Sequence, residues 1–377
     1  MNPRLGVLDF WPIQYHAPLY QLLASRGNVD VDVLYLSDKG YRAAMDPKFG
    51  VPVAWDIDLL HGYEHRFLTT SDGPAARLRQ TKVLAKWLTA HDAVVTHGYS
   101  NPWMLSAMAI CRARRIPYLM RGDSLPRGQS AGLRGLLRDV IARTAVVGSA
   151  AGLAIGQLNQ EFYRRHKARR VFFAPYSVDD RRFASAPAAS RSQLLARWGL
   201  RADHPVIMFC GKMYPGKRPL DLAAAIRLLT CEVTAIFVGD GLLADRIRSS
   251  LVPGEGVVTG FVNQSELPAY YHAADIIVLP SEVENWGLVL NEAMAAGAFP
   301  VVSDRVGAAP DLVVGVGEIY PCGDVARLAG ALDRALSLTK DPHTRDRVRQ
   351  HAARYCLDRT AAGFEEAVFA ASRKYVT

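Results

Sequence analysis

Short apolar runs alternate with stretches of helical periodicity from one end of the chain to the other. Runs at residues 5–10, 30–36, 93–96, 117–121, 152–156 and 171–174 read as strands, and a second series falls at 206–210, 234–238, 256–259, 275–279 and 299–303. Between them, segments such as 220–229 and 242–251 repeat apolar residues about every 3.6 positions, the period of an amphipathic helix. Strands alternating with helices build parallel sheets from βαβ units. Two such series predict an α/β chain with two doubly wound, Rossmann-like domains. The polar stretch at 175–180, where a proline and turn formers follow a strand, marks the boundary. Domains are therefore expected at 1–177 and 178–357. Beyond them, Phe364, Val368, Ala371 and Tyr375 share one face of a final amphipathic helix, about 358–377, expected to pack back on the first domain.

Length agrees with this division, since 377 residues exceed the ~250–300 at which single cores stop growing. Half of the residues are apolar and 21% are charged, a balance that excludes a largely disordered chain. Lysine and arginine outnumber aspartate and glutamate by 45 to 36, and the resulting +9 favours anionic partners such as nucleotides or phosphorylated lipids. Nucleic acid is not expected among them, because no reader motif or aromatic-interleaved basic strand appears. The five cysteines, Cys111, Cys210, Cys231, Cys322 and Cys356, are scattered and never form a CxxC pair. Neither a disulfide framework nor a zinc cluster is legible, so a reducing cytoplasmic compartment is expected. No apolar run approaches the ~18–20 residues that span a bilayer. The first one ends at Asp9, with no cleavage site at signal-peptide spacing behind it.

The segment from Asp275 to Asp304, DIIVLPSEVENWGLVLNEAMAAGAFPVVSD, carries the clearest chemistry. It reads as a strand, a loop over 281–287, a helix from about Leu288, a stop at Gly297 and another strand. Glu284 lies in the loop, and Glu292 follows eight positions later in the helix. The amides of Trp286, Gly287 and Leu288 open that helix without intrahelical partners, a natural seat for phosphate or sugar oxygens.

This E-x7-E spacing, with the words around it, closely resembles the donor-binding signature of family-4 retaining glycosyltransferases, which have the GT-B architecture. Gly211-Lys212 with Lys217 looks like the family's phosphate-binding element. Val238-Gly239-Asp240-Gly241 and Gly260-Phe261-Val262 match its next two turns, and Ser303 to Pro310 with Gly323-Asp324 match its closing part. The resemblance is close over about 206–335 and looser upstream, where Thr96-His97-Gly98 and Arg121-Gly122-Asp123 fall at family positions.

The resemblance implies a retaining, metal-independent, hexosyltransferase-like enzyme without a resident cofactor. Its donor would be a UDP- or GDP-sugar and its acceptor a saccharide, free or lipid-linked, in polysaccharide or glycolipid assembly. Lys212, Lys217, Gly241, Phe261, Val262, Glu284, Asn285, Trp286, Gly287, Leu288 and Glu292 would line the donor, with Glu284 on the sugar and Glu292 on the ribose. Catalysis would rest on His97, Glu284 and Lys217, because expelling a diphosphate requires cations where charge develops. Tyr15, His16 and Arg121 fall on the acceptor side. The chain also departs from the family. Position 212 holds a lysine where arginine is commoner, a point charge in place of a bidentate fork. Residues 9–16 are bulky and aromatic where many relatives carry paired glycines, and Trp286 stands where phenylalanine is commoner. A nucleotide-sugar epimerase or hydrolase of the same architecture, or a transferase acting on a small natural-product acceptor, are the alternatives.

Other patterns weigh less. Asp56 and Asp58 resemble the metal pair of the other major glycosyltransferase fold but read as chance, since only two of the motif's three acids are present. Gly239-x-Gly241-x-x-Ala244 fits a dinucleotide fingerprint loosely, yet the next strand ends without the expected acid. At 133–143, Leu133, Leu136, Leu137, Val140 and Ile141 form one helical face and Arg134 and Arg138 another, with Arg127 and Arg143 flanking. A surface helix of an α/β domain buries such an apolar face, and that arrangement is expected here. The other reading is a basic amphipathic helix on an anionic membrane, which would place the protein at the inner membrane face.

Overall fold

A computed structural model of the chain describes residues 2–38, 41, 44–46, 51–68, 74–126 and 132–372. Its strands are β1 Arg4–Asp9, β2 Asp30–Tyr35, β3 Ala44–Asp46, β4 Val51–Val53, β5 Glu64–Phe67, β6 Ala93–His97, β7 Tyr118–Arg121, β8 Ala151–Ala154 and β9 Val171–Phe173, followed by β10 Val206–Cys210, β11 Thr234–Val238, β12 Gly256–Gly260, β13 Ile276–Leu279, β14 Phe299–Ser303 and β15 Glu318–Tyr320. One sheet runs β5-β2-β1-β6-β7-β8-β9 and another β12-β11-β10-β13-β14-β15, while β3 and β4 form a separate antiparallel ribbon. Both large sheets are parallel and both are doubly wound, as the alternation of strands and helices requires. In each, strand order reverses beside the first strand, between β1 and β6 in one and between β10 and β13 in the other. Loops leaving adjacent carboxyl ends there diverge to opposite faces and open a crevice, where α/β sheets bind ligands.

The chain divides into two units, one of residues 1–43, 58–176 and 357–377, the other of 44–57 and 177–356. Residues 44–57, expected in the first domain, join the second. The side-chain amide of Asn263 donates to the Ala54 carbonyl at 2.7 Å, Ser265 donates its backbone amide to Asp56 at 3.1 Å, and Trp55 lies 6.2 Å from the Phe261 ring. Polar links from a short ribbon have no hydrophobic period, so the sequence pattern does not reveal them.

In the first unit, β1 and β6 are buried along almost their whole length because helices cover both sheet faces. Leu5, Val7, Val33, Val95 and Leu153 pack with Leu19, Tyr20 and Leu23 of the helix Ala17–Arg26 and with Phe364, Ala367 and Val368 of the helix Leu357–Ala371. Arg26 fastens the last helix by two hydrogen bonds to Glu365, at 2.9 and 3.0 Å. Gly363 sits so close beneath the Phe173 carbonyl that a Cβ would lie 2.2 Å from its oxygen. Tyr375, placed on this face from the sequence, lies outside the described residues.

The helix Leu133–Gly148 reverses the expected orientation. Gly135, Ala142, Ala145 and Val146 are its buried residues, the last three packing with Met104, Met108 and Cys111 of the helix Pro102–Arg114. Leu133, Leu136, Leu137 and Val140 are instead 82%, 62%, 59% and 51% exposed. Close approach between helices demands small side chains, and these lie on the face opposite the leucines. Arg127 falls outside the described residues.

Candidate active site

In the second unit, β10 and β13 flank the switch point, and the segments leaving them lie side by side. From β10 the chain turns at Gly211 and Lys212 and makes a short 3-10 turn at Pro215–Lys217 before the helix Pro219–Ile226. From β13 it runs through 281–287 into the helix Leu288–Ala295. The Glu282 amide donates to the Gly216 carbonyl at 2.9 Å and ties the two segments together. Lys217 and Glu284 then form an ion pair, with side chains 19% and 16% exposed. The loop itself is held extended, since the Gly307 and Ala308 amides donate to the Glu284 and Trp286 carbonyls at 2.9 and 3.2 Å. Trp286 is buried and donates from Nε1 to Asn291 at 2.9 Å.

Gly287 caps the helix at φ +100°, and a Cβ there would lie 2.7 Å from the Leu279 side chain. Only glycine meets both conditions. Five residues on, Glu292 is 1% exposed and accepts a hydrogen bond from the Tyr271 hydroxyl at 2.6 Å. Burial, together with the neighbouring Cys210 and Glu292, raises that phenol well above its ordinary value, so it donates as a neutral group. The turns after β10, β11 and β12 are laced at their glycines. Gly211 donates to Val238, Gly239 to Gly260 and Met213 to Asp240, at 2.9, 2.9 and 2.8 Å. Lys212, Phe261, Val262 and Asn285 are half-buried around them.

In the first unit, β1 and β6 flank the other switch point, and each ends in a functional group. Asp9 closes β1 and is buried. It accepts hydrogen bonds from the Phe10 amide at 2.8 Å, the Tyr20 hydroxyl at 2.7 Å and Nδ1 of His16 at 2.8 Å. Burial opposes its ionisation, but the two histidines and these donors outweigh it and hold the carboxyl below the usual range. His97 closes β6, with Nε2 3.0 Å from the Tyr20 oxygen and its ring 4.4 Å from that of His16. Burial, against the pull of Asp9, pushes His97 down to about 3, so its imidazole is neutral near pH 7. An ionised Asp9 only accepts, so Tyr20 donates to it and its oxygen takes the Nε2 proton of His97. That chain fixes the His97 tautomer and leaves Nδ1 as the acceptor.

A family model described as "Glycosyl transferases group 1" matches residues 190–354. The D-inositol 3-phosphate glycosyltransferase of Frankia alni is 32% identical over 309 residues, covering 70% of this chain and 74% of that protein. The chain belongs to the group 1 glycosyl transferases. A GDP-mannose-dependent alpha-(1-6)-phosphatidylinositol monomannoside mannosyltransferase of Mycobacterium tuberculosis is 26% identical over 322 residues, 81% of this chain and 76% of the relative. Among solved structures, a glycosyltransferase from Rickettsia africae superposes with a TM-score of 0.76 at 14% identity, covering 99% of this chain and all of that one. Anabaena HepE, crystallised with UDP and glucose, gives 0.73 at 16% identity over 97% and 99%. These two likenesses bear on the fold, which is GT-B.

The residues singled out in this glycosyltransferase gather into two groups, one at each switch point. Lys212, Lys217, Gly241 and the 261–262 turn lie with Glu284–Leu288 and Glu292 in the second unit, and His16 and His97 lie together in the first. Tyr15 is half-buried in the turn before the helix Ala17–Arg26. Arg121 departs from its expected part. It is 2% exposed, donates to the Ala174 and Pro175 carbonyls at 2.6 and 3.2 Å, and lies 5.0 Å from the rings of Tyr176 and Phe364. Its guanidinium braces the core and is not offered to an acceptor. Asp56 and Asp58 are likewise engaged, Asp56 by Ser265 and Asp58 by the amides of Leu60 and His61 at 3.0 and 3.1 Å.

Asp9 and Tyr20 were missed as site residues. An acid at the end of a strand, with Tyr20 one helical turn beyond His16, was the available signal. Their network is expected to make the transferase acid-sensitive. His97 takes up a proton near pH 6.5 when unfolded but only near 3 when folded, so the unfolded chain binds more protons between those values. Stability is therefore expected to fall as pH drops below 6.5, by up to about 1.4 kcal/mol per pH unit. Denaturant titrations across that range should show the slope, and His97→Asn should flatten it.

Proposed function

We propose that the protein transfers a hexosyl group from a UDP- or GDP-sugar to a hydroxyl of a saccharide or glycolipid, with retention of anomeric configuration and without a metal ion. The observation that carries this reading is the Lys217–Glu284 pair at the β10/β13 switch point, beside the amides that open the helix Leu288–Ala295. During transfer the bond from the anomeric carbon to the diphosphate oxygen breaks and one to the acceptor oxygen forms, the acceptor hydroxyl passing its proton to the departing diphosphate. Lys212, Lys217 and the helix amides meet the charge left on the diphosphate. Glu284 receives hydroxyls of the donor sugar, and Glu292 the ribose diol. His97, neutral and fixed in tautomer by Tyr20 and Asp9, presents an acceptor nitrogen to the transferred sugar. Support for the substrate class comes from relatives whose names specify GDP-mannose and inositol-bearing acceptors.

Thermal-shift titration with UDP-, GDP- and ADP-sugars tests the donor. A UDP- or GDP-sugar should stabilise by about 2.7 kcal/mol at a hundredfold excess over its dissociation constant. No shift with either would defeat the reading, and a product of inverted configuration would defeat its stereochemical part. Transfer is expected to persist in excess chelator. Among the described residues, Asp9, His16 and His97 place possible ligand atoms within 4.8 Å of one another. Activity lost to chelator and restored by manganese would direct attention to those three side chains.

A further inference from the structure

We propose that the helix Leu133–Gly148 is a docking element that seats the first unit on an anionic lipid surface. At 100° per residue, Leu133, Leu136, Leu137, Val140 and Val147 fall in one stripe along this helix. All five are exposed, Leu133 the most at 82% and Val147 the least at 38%. Arg134 and Arg138 border the stripe on one side and Arg143 on the other, all three exposed. The face turned to the protein is made of Gly135, Ala142, Ala145 and Val146. A helix that buries its glycine and alanines and offers its leucines to the outside is built for a second apolar medium. Flanking guanidinium groups suit a bilayer interface, where the apolar face enters the acyl boundary and cations meet phosphates.

Charge distribution selects the occupant. Leaving out the buried Arg121, residues 102–172 contain twelve arginines and lysines against three acids, a surplus of nine that equals the +9 of the whole chain. One of those acids, Asp139, lies on the docking helix and is engaged by His166 at 3.0 Å. Beside the C-terminal end of the helix, Arg112, Arg115, Arg169 and Arg170 line an open groove of about 510 Å³ that also includes Gly148 and Ser149. No helix among the described residues is long and apolar enough to cross a membrane, so attachment through this element would be interfacial. The inference stands apart from the donor chemistry, because it concerns a different surface and is read without turnover.

Co-sedimentation with equimolar phosphatidylcholine/phosphatidylglycerol vesicles and with pure phosphatidylcholine vesicles provides the test. The parent protein should bind the anionic vesicles, bind the neutral ones far less, and be released by salt. Arg134→Glu with Arg138→Glu should lower partitioning at least about 30-fold, the loss expected from removing two interfacial cations. Leu136→Ser with Leu137→Ser should lower it about tenfold or more, by withdrawing apolar area. Both pairs are exposed, so circular dichroism and melting should match the parent. In Val140→Trp, emission should shift to the blue on anionic vesicles. Failure of the parent to bind, or variants binding as well as the parent, would overturn the proposal. So would a parent dimer that ignores vesicles and dissociates in the double serine variant, which would assign the face to a second copy of the chain.

Discussion

Glu284→Ala is expected to cut turnover by ~10²–10³-fold, the scale of one preorganised electrostatic contact, while binding free nucleoside diphosphate more tightly than the parent. The two effects separate because Glu284 does two things. In the role proposed above it receives sugar hydroxyls, and it is also paired with the ammonium of Lys217. A diphosphate arriving at Lys217 must compete with that carboxylate. Removing it releases the lysine and takes away a like charge, which should be worth about 1 kcal/mol, or roughly fivefold in affinity. Lys217→Ala should lose both turnover and diphosphate affinity. Glu292→Ala should weaken diphosphate and whole donor alike if Glu292 holds the ribose as proposed, since Tyr271 braces its carboxylate for that contact. Calorimetry with the nucleoside diphosphate, beside steady-state rates, distinguishes these outcomes. Loss of diphosphate affinity in Glu284→Ala with its retention in Glu292→Ala would reverse the two roles.

Gly239→Ala is expected to destabilise the second unit by about 3 kcal/mol or more and to lower its melting temperature by roughly 6–12 °C. Gly239 has φ +127°, and a Cβ there would lie 2.1 Å from the backbone carbonyl oxygen of Gly211. Backbone cannot step aside as a flexible side chain can, so the turns after β10 and β11 would have to part. Their separation would break the hydrogen bond from Gly211 to Val238 and misplace Lys212 next to it. Gly254→Ala is the matched control. Gly254 also has positive φ, +83°, but nothing stands within 4 Å of a Cβ, so only torsional strain of about 1 kcal/mol is expected. Equal melting curves for the two variants would show that the close approach does not hold the turns together.

The two doubly wound sheets were legible because buried parallel strands read as unbroken apolar runs, as VIMFC does in β10 and FPVVS in β14. The start of the helix at Leu288 was legible because Gly287 punctuates the segment. By contrast, β5, with the sequence EHRF, is a polar edge strand, and β15 has three residues at the opposite edge of the other sheet. Neither carries a period long enough to detect. The Asp9–Tyr20–His97 chain depends on β1 lying against β6, a pairing between residues 88 apart at Leu5 and Ala93. No local pattern contains that information. For the helix Leu133–Gly148, periodicity identified the apolar face but gave no direction to it. Whether such a face turns inward is decided by the neighbouring helix, and against residues 102–114 this one packs Ala142, Ala145 and Val146.

The helix Leu357–Ala371 has a consequence for the order in which the protein is made. As the chain leaves the ribosome, the seven strands of the first sheet emerge before any residue of the second one. The core that Leu5, Val7, Val95 and Leu153 of those strands share with Leu19, Tyr20 and Leu23 of the helix Ala17–Arg26 nevertheless stays incomplete until Phe364, Ala367 and Val368 are translated. The second unit, whose last residue is Cys356, thus has its whole sequence available while the first still exposes apolar surface. The unit begun first is finished last. A protease that removes the final helix would leave a finished second unit attached to an open first one, a species that chaperones would recognise by the uncovered face of β1, β6 and β8.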